Sequence, residues 1–113
     1  MVEHRESRTL RIYTEESGRQ PFIDWIKSLG DRRTRARIRA RLDRVEVGAF
    51  GDCKSVGDGV RELRLFFGPG YRIYFGEDGA DIVLLLCGGE KDGQRRDLDV
   101  AKRYWDDYKR RRQ

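Results

Sequence analysis

The chain has 113 residues, of which 37% are hydrophobic and 40% are charged. A chain of this length supports one small domain, and so many charges leave no apolar run of the roughly 20 residues that a transmembrane helix needs. The amino terminus lacks the basic and apolar stretches of a secretion signal, so we expect a cytoplasmic protein without a membrane partner. We treat 1–113 as a single domain with loose ends at 1–8 and 109–113.

Arginine supplies most of the positive charge. The net charge is +5, and the chain has 20 arginines but only five lysines. The planar arginine side chain binds phosphate oxygens and stacks on bases, so this balance favours a nucleic-acid partner, although basic chains also bind acidic proteins. Cys53 and Cys87 lack the CxxC spacing and neighbouring histidines of a zinc site, and we expect packed, unreactive thiols in a reducing compartment.

The first part of the chain predicts one strand and two helices. Polar and apolar residues alternate over 9–14, which predicts a half-buried strand. Apolar residues after Pro21 recur at helical spacing as far as Leu29, which predicts a short helix. Asp31 is a good helix cap, and a second helix is predicted from there to about Val47.

The second predicted helix is dense in arginine, with seven between positions 32 and 44. A run of charges usually marks a solvated helix face. The same surface could also follow the phosphates of a nucleic acid or meet an acidic protein. We include three of these side chains among the candidate RNA-binding residues: Arg33, Arg37 and Arg41.

The second part of the chain predicts an antiparallel meander and a last helix. Strands are predicted over 60–67, 71–75 and 82–87, with turns at the glycine-containing segments between them. Helical spacing of apolar residues then predicts a helix over 95–108. The expected fold is therefore α+β, with an N-terminal strand, a two-helix hairpin, an antiparallel three-strand meander forming one sheet, and a C-terminal helix.

Several kinds of active site are disfavoured. His4 is the single histidine, so neither a histidine pair nor a histidine-centred triad can be assembled. No glycine-rich phosphate-binding motif occurs, and the carboxylates are scattered among arginines. We expect neither a metal nor a cofactor.

A group of charged residues on the paired strands is the best candidate site. Alternation places Glu62, Arg64 and Arg72 on the sides of their strands that do not face the predicted core. Cleavage of RNA through its own 2′-hydroxyl needs a base, for which Glu62 is a candidate, and cations around the phosphate, for which the two arginines are candidates. The alternative is a cross-strand Glu–Arg network that only decorates the sheet. Further candidate RNA-binding residues lie on the same strands or in the predicted loops around them: Lys54, Arg61, Tyr74 and Gln94.

Four segments resemble the RelE/ParE toxin superfamily, and within it the HigB-like, phage-related addiction module killer proteins. The resemblance spans about 9–108. Two positions depart from the best-known RelE pattern, which has lysine at the position of Glu62 and a catalytic tyrosine near Asp97. The segments that carry the resemblance are GVRELR at 59–64, FGPGYRIY at 67–74, LLLCGGEK at 84–91, and Asp97-Leu98 with Ala101-Lys102 and Tyr104-Trp105.

The resemblance implies a toxin of a type II toxin–antitoxin system. Most RelE-like members cut mRNA on the ribosome without metal and so inhibit translation, whereas ParE-like members inhibit DNA gyrase on a similar scaffold. It implies a phosphate-stabilising role for Arg72, a catalytic or RNA-binding role for Arg64, and a basic site residue in Lys91, which is also a candidate general acid. The implied partners are the ribosome and mRNA, a cognate antitoxin encoded beside this chain, and operator DNA reached only through the antitoxin complex.

Overall fold

The computed structural model describes residues 7–112, which form an α+β fold around one mixed sheet. This confirms the predicted fold class and the predicted C-terminal helix. A short 3₁₀ turn, Lys91–Gly93, precedes the last helix. The main elements are β1 (Thr9–Ile12), α1 (Pro21–Ser28), α2 (Arg32–Glu46), β2 (Cys53–Gly57), β3 (Val60–Leu65), β4 (Tyr71–Asp78), β5 (Ile82–Glu90) and α3 (Gln94–Arg111).

The sheet has five strands in the order β1-β5-β4-β3-β2. β1 pairs with β5 in parallel, and the other neighbours are antiparallel. The sequence does not predict β2, because the segment CKSVG has no sustained apolar alternation. It forms an edge strand by pairing with β3. Lys54 therefore lies in a strand, where its partner is Glu62, and not in a loop as predicted.

Both faces of the sheet carry a helical layer. Ile38 and Leu42 of α2 pack with Leu63 and Ile73 on one face, together with Phe22 of α1. α3 covers part of the opposite face, where its buried residues Ala101 and Trp105 pack with Val60, Tyr74 and Leu84. The side of β3 and β4 that was predicted not to face the core therefore carries a second buried cluster beneath α3.

The two central strands extend beyond their predicted ends. β4 continues through Gly76, predicted as a turn residue, which pairs with Leu84 inside the ladder. The ring of Trp105 lies where a side chain at position 76 would be, so a glycine in this strand allows α3 to pack closely. Gly76, which the sequence pattern predicts as a turn residue, thus allows close packing of the helix on the sheet.

The carboxyl end of the chain is helical through Arg111, and the prediction of a loose segment from position 109 is wrong for 109–111. The last turns are held by the Tyr108 hydroxyl, which donates to Asp78 at 2.6 Å, and by Arg111, which donates to the Thr14 carbonyl at 2.6 Å. At the other end, residues 1–6 of the predicted loose segment lie outside the described residues. The backbone N–H of Arg8 donates to the Glu46 carbonyl at 2.7 Å.

Candidate functional site

The candidate site lies on the α3 face of the sheet, at the end where α3 begins. Arg64 and Arg72 are direct cross-strand partners, and Glu62 is paired with Tyr74. On the other side, Glu62 is paired with Lys54 of β2. Because cross-strand partners project to the same face, the three strands bring these side chains together.

Glu62 and Arg72 form a buried ion pair at the centre of this group. Their side chains are 0% and 6% exposed, and Glu62 Oε1 lies 3.8 Å from Arg72 Nε. Gln94 Nε2 donates to Glu62 Oε2 at 2.7 Å. Gln94 is the first residue of α3 and not a loop residue as predicted. The amino-terminal end of α3 therefore contacts Glu62 through the Gln94 side chain.

Several buried polar atoms of this group are left without a hydrogen bond. Within residues 7–112, Glu62 Oε1, Arg72 Nε, Arg64 Nε and the Tyr74 hydroxyl are buried and make none. Burial raises the pKa of Tyr74, and the negative charge of Glu62 raises it further, so the phenol stays protonated. Two of these atoms, Glu62 Oε1 and Arg72 Nε, face each other at 3.8 Å. Buried polar groups are nearly always satisfied in folded proteins, so this group of atoms marks a place where water or a polar ligand supplies the missing partners.

Arg64 marks the more open side of the site. Its side chain is 31% exposed, and Nη2 lies 2.9 Å from Asp52 Oδ1. The hydrogen bond to Asp52 raises the pKa of Arg64. Asp52 was not a predicted site residue, because its contact with Arg64 depends on the pairing of the unpredicted strand β2.

Lys91 directly follows β5 and lies near Arg72, close to the loop that joins β3 to β4. Its backbone N–H donates to the Gly70 carbonyl at 2.8 Å. A Cβ placed at Gly70 would lie 3.5 Å from Lys91 Cβ and 3.9 Å from Arg72 Nη1. Gly70 also has a φ of +82°, which favours glycine. The exposed Lys91 side chain and the buried Arg72 guanidinium therefore both lie near Gly70.

Asp97 adds a second carboxylate that the sequence did not assign to the site. Its carboxyl group lies directly against Gly89, the cross-strand partner of Arg72. Burial raises the pKa of Asp97. A carboxylate in the first turn of a helix ordinarily stabilises the helix end, so the sequence pattern alone does not distinguish that role from a role in the site.

Arg61 does not belong to this group. It alternates onto the opposite face of β3, where Nη1 lies 3.3 Å from Glu77 and the guanidinium lies 5.4 Å from the Phe50 ring. The structure therefore places Arg61, a candidate RNA-binding residue, on the face of the sheet opposite Glu62, because neighbouring residues in a strand face opposite ways.

The three predicted RNA-binding arginines of α2 lie on the other helical layer. Arg41 donates to the backbone carbonyls of Phe50, Asp52 and Arg64, so it fastens α2 to the β2–β3 region. Arg37 lies 4.0 Å from the centre of the Phe67 ring, and Arg33 is exposed. The structure thus separates these arginines from the buried pair, and Arg37 alone reaches the loop beside it.

The two cysteine thiols are expected to be less reactive than the thiol of an exposed cysteine. Both are free, Cys87 is buried, and burial raises the pKa of Cys87 to about 12. Because the thiolate is the nucleophile, we expect Cys87 in a Cys53→Ser variant to react with iodoacetamide at least about 10²-fold more slowly at neutral pH when folded than in urea. The rate should rise as pH approaches the raised pKa. Equal rates in the folded and unfolded chain would contradict the buried placement.

Within residues 7–112 there is no group of three or more histidine, cysteine, aspartate or glutamate side chains placed to hold a metal ion. Nor does any helix in that part of the chain have the length and apolar character to cross a bilayer. The site is defined instead by guanidinium, carboxylate, amide and phenol groups.

The fold and the site define a small, basic α+β protein with a largely buried polar site on one sheet face. No family model matches the chain. An uncharacterized protein of Haemophilus influenzae is 46% identical to it over 81 residues, which are 72% of this chain and 82% of that protein. The chain belongs to the same family as this Haemophilus influenzae protein.

Proposed function

We propose that the chain is the toxin of a type II toxin–antitoxin system, with a RelE-like fold of the HigB-like kind, and that it cuts mRNA on the ribosome in the cytoplasm without a metal. The observation that carries the proposal is the set of unsatisfied buried atoms of Glu62, Arg64, Arg72 and Tyr74 on one sheet face. Guanidinium donors beside a carboxylate acceptor fit a phosphodiester next to a ribose hydroxyl.

In the proposed reaction, a carboxylate oxygen of Glu62 accepts the proton of the ribose 2′-hydroxyl. The 2′-oxygen then bonds to phosphorus, and the bond from phosphorus to the 5′-oxygen breaks. The products are a 2′,3′-cyclic phosphate and a 5′-hydroxyl, whose proton is supplied by Lys91. Arg64 and Arg72 stabilise the negative charge that builds on the phosphate oxygens.

Substrate reaches Glu62 by displacement of the Gln94 side chain. The Gln94 amide contacts the carboxylate through one neutral-to-charged hydrogen bond of 2.7 Å. Such a bond contributes about 1.5–3 kcal/mol, which binding of a charged phosphate beside two arginines can offset. Binding to the ribosome would orient the message so that its phosphate can displace Gln94.

The antitoxin is proposed to cover an apolar groove on the other helical layer. The groove lies between β1, α1 and α2, has a volume of about 580 Å³, and has an apolar floor that includes Leu10, Ile12, Ile26 and Leu42. Three arginines of α2 and two carboxylates, Asp43 and Glu46, also line it, so its charged side chains carry a small net positive charge. An acidic amphipathic segment matches an apolar floor beside this positive charge. Operator DNA is then bound through the antitoxin complex.

The proposal is tested in cells that produce the chain from an inducible promoter. We expect growth arrest and, by primer extension, message ends within translated codons. Arg64→Ala should abolish both, whereas Arg39→Ala, an exposed arginine on α2, should retain them. DNA breaks with intact messages would instead support a ParE-like gyrase inhibitor and contradict the endonuclease.

A further inference from the structure

The loop between β3 and β4 carries two phenylalanines with different surroundings. Phe67 packs inward, with its ring centre 5.3 Å from that of Tyr71 and the Arg37 guanidinium over it. Phe66 points outward and is 72% exposed. Among the described residues, only Val47 is another large hydrophobic residue of comparable exposure. Packing in the protein therefore explains why position 67 is a phenylalanine, but it does not explain the exposed phenylalanine at position 66.

Phe66 lies beside the cations of the site. The Arg64 guanidinium carbon is 5.7 Å from the centre of its ring. Arg64 is held at 2.9 Å by Asp52 and is the cross-strand partner of Arg72. An exposed aromatic ring thus stands next to the guanidinium of Arg64, and the cross-strand partner of Arg64 supplies a second guanidinium in the same site.

An aromatic ring beside cations is the arrangement that binds single-stranded nucleic acid, because bases stack on the ring while the cations contact the backbone. We propose that Phe66 forms a nucleobase subsite, where an unpaired base of the RNA stacks on the ring next to the phosphate held by Arg64 and Arg72. This inference rests on the proposed function and adds a substrate-binding element to it. A base inside a duplex presents no free face to the ring, so the subsite requires single-stranded RNA.

A binding experiment tests the subsite without cleavage. An oligouridylate carrying one 2-aminopurine is titrated with the purified chain, since stacking on an aromatic ring quenches 2-aminopurine fluorescence. We expect quenching by the wild type and by Phe66→Tyr. Phe66→Ala should bind about 5- to 150-fold more weakly with the quench lost, and Phe66→Leu should behave like Ala because it retains apolar volume without a π face. Val47→Ala is the control for loss of an exposed apolar side chain.

A cleavage experiment on ribosomes carrying a defined message separates this inference from the proposed function. If the wild type cuts and Phe66→Ala cuts less while Phe66→Tyr cuts normally, both stand. Equal cutting by wild type, Phe66→Ala and Phe66→Leu overturns the subsite and leaves the endonuclease intact. If the wild type cuts no message, the proposed endonuclease activity is wrong, and the fluorescence titration alone tests the subsite. Loss of the quench in Phe66→Ala then supports the subsite. No quench by the wild type, or the same quench by Phe66→Ala, overturns it.

Discussion

Arg72→Lys is expected to lower mRNA cleavage by about 10²- to 10³-fold, the usual cost of removing one preorganised donor from a transition state. Lysine keeps the positive charge but loses the planar fork that can contact two phosphate oxygens together. The buried position of Arg72, 5% exposed, makes its donors effective because little water competes for them. The rate is measured as single-turnover cleavage on ribosomes carrying a defined message.

Lysine is chosen because Arg72→Ala would also damage the fold. It would leave the fully buried Glu62 without its cation, which costs about 3–5 kcal/mol of stability. Arg61→Lys is the matched control, since Arg61 lies on the opposite sheet face, and it should cut at the wild-type rate. Unchanged cleavage by a folded Arg72→Lys would contradict the role assigned to this side chain.

Trp105→Ala is expected to lower the free energy of unfolding by about 3–5 kcal/mol, a large part of the stability of a small domain. Trp105 is 5% exposed, packs against Gly76 of β4, and stacks on Tyr108 with ring centres 5.6 Å apart. Its loss removes the main apolar anchor between α3 and the sheet. Urea unfolding followed by circular dichroism measures the change.

The converse substitution tests the same contact from the sheet side. Gly76→Ala places a methyl group where the Trp105 ring lies and should cost about 1–3 kcal/mol. Gly30→Ala is its control, because nothing lies within 4 Å of a Cβ at that position, and it should unfold at nearly the wild-type urea concentration. A Gly76→Ala variant as stable as Gly30→Ala would show that α3 packs elsewhere.

Hydrophobic periodicity predicts most of the elements and fails where the stabilising partner is distant in sequence. The α2 helix runs close to its predicted bounds because Asp31 caps it and its apolar residues keep one face. β2 has little pattern of its own and exists because β3 pairs with it. The last turns of α3 look like a frayed basic tail, yet Tyr108 and Arg111 bind residues far away in the chain.

In the candidate site, too, the sequence predicts what strand alternation determines and not what depends on distant contacts. Alternation predicts that Glu62, Arg64 and Arg72 share a face, and the register places them there. Alternation does not predict that the amino-terminal end of α3 contacts Glu62 through Gln94, since this depends on how the helix crosses the sheet. For the same reason the contact of Asp97 with Gly89 is invisible in the sequence.

The most direct test of the proposed cleavage chemistry uses ribosomes programmed with a message whose cut position has been mapped. We predict products with a 2′,3′-cyclic phosphate and a 5′-hydroxyl, loss of cutting when the nucleotide before the cut carries a 2′-deoxyribose, and at least about 10²-fold slower cutting by Arg64→Ala. Intact message with the wild-type chain, or cutting at the wild-type rate by folded Arg64→Ala or at the 2′-deoxy position, would contradict it.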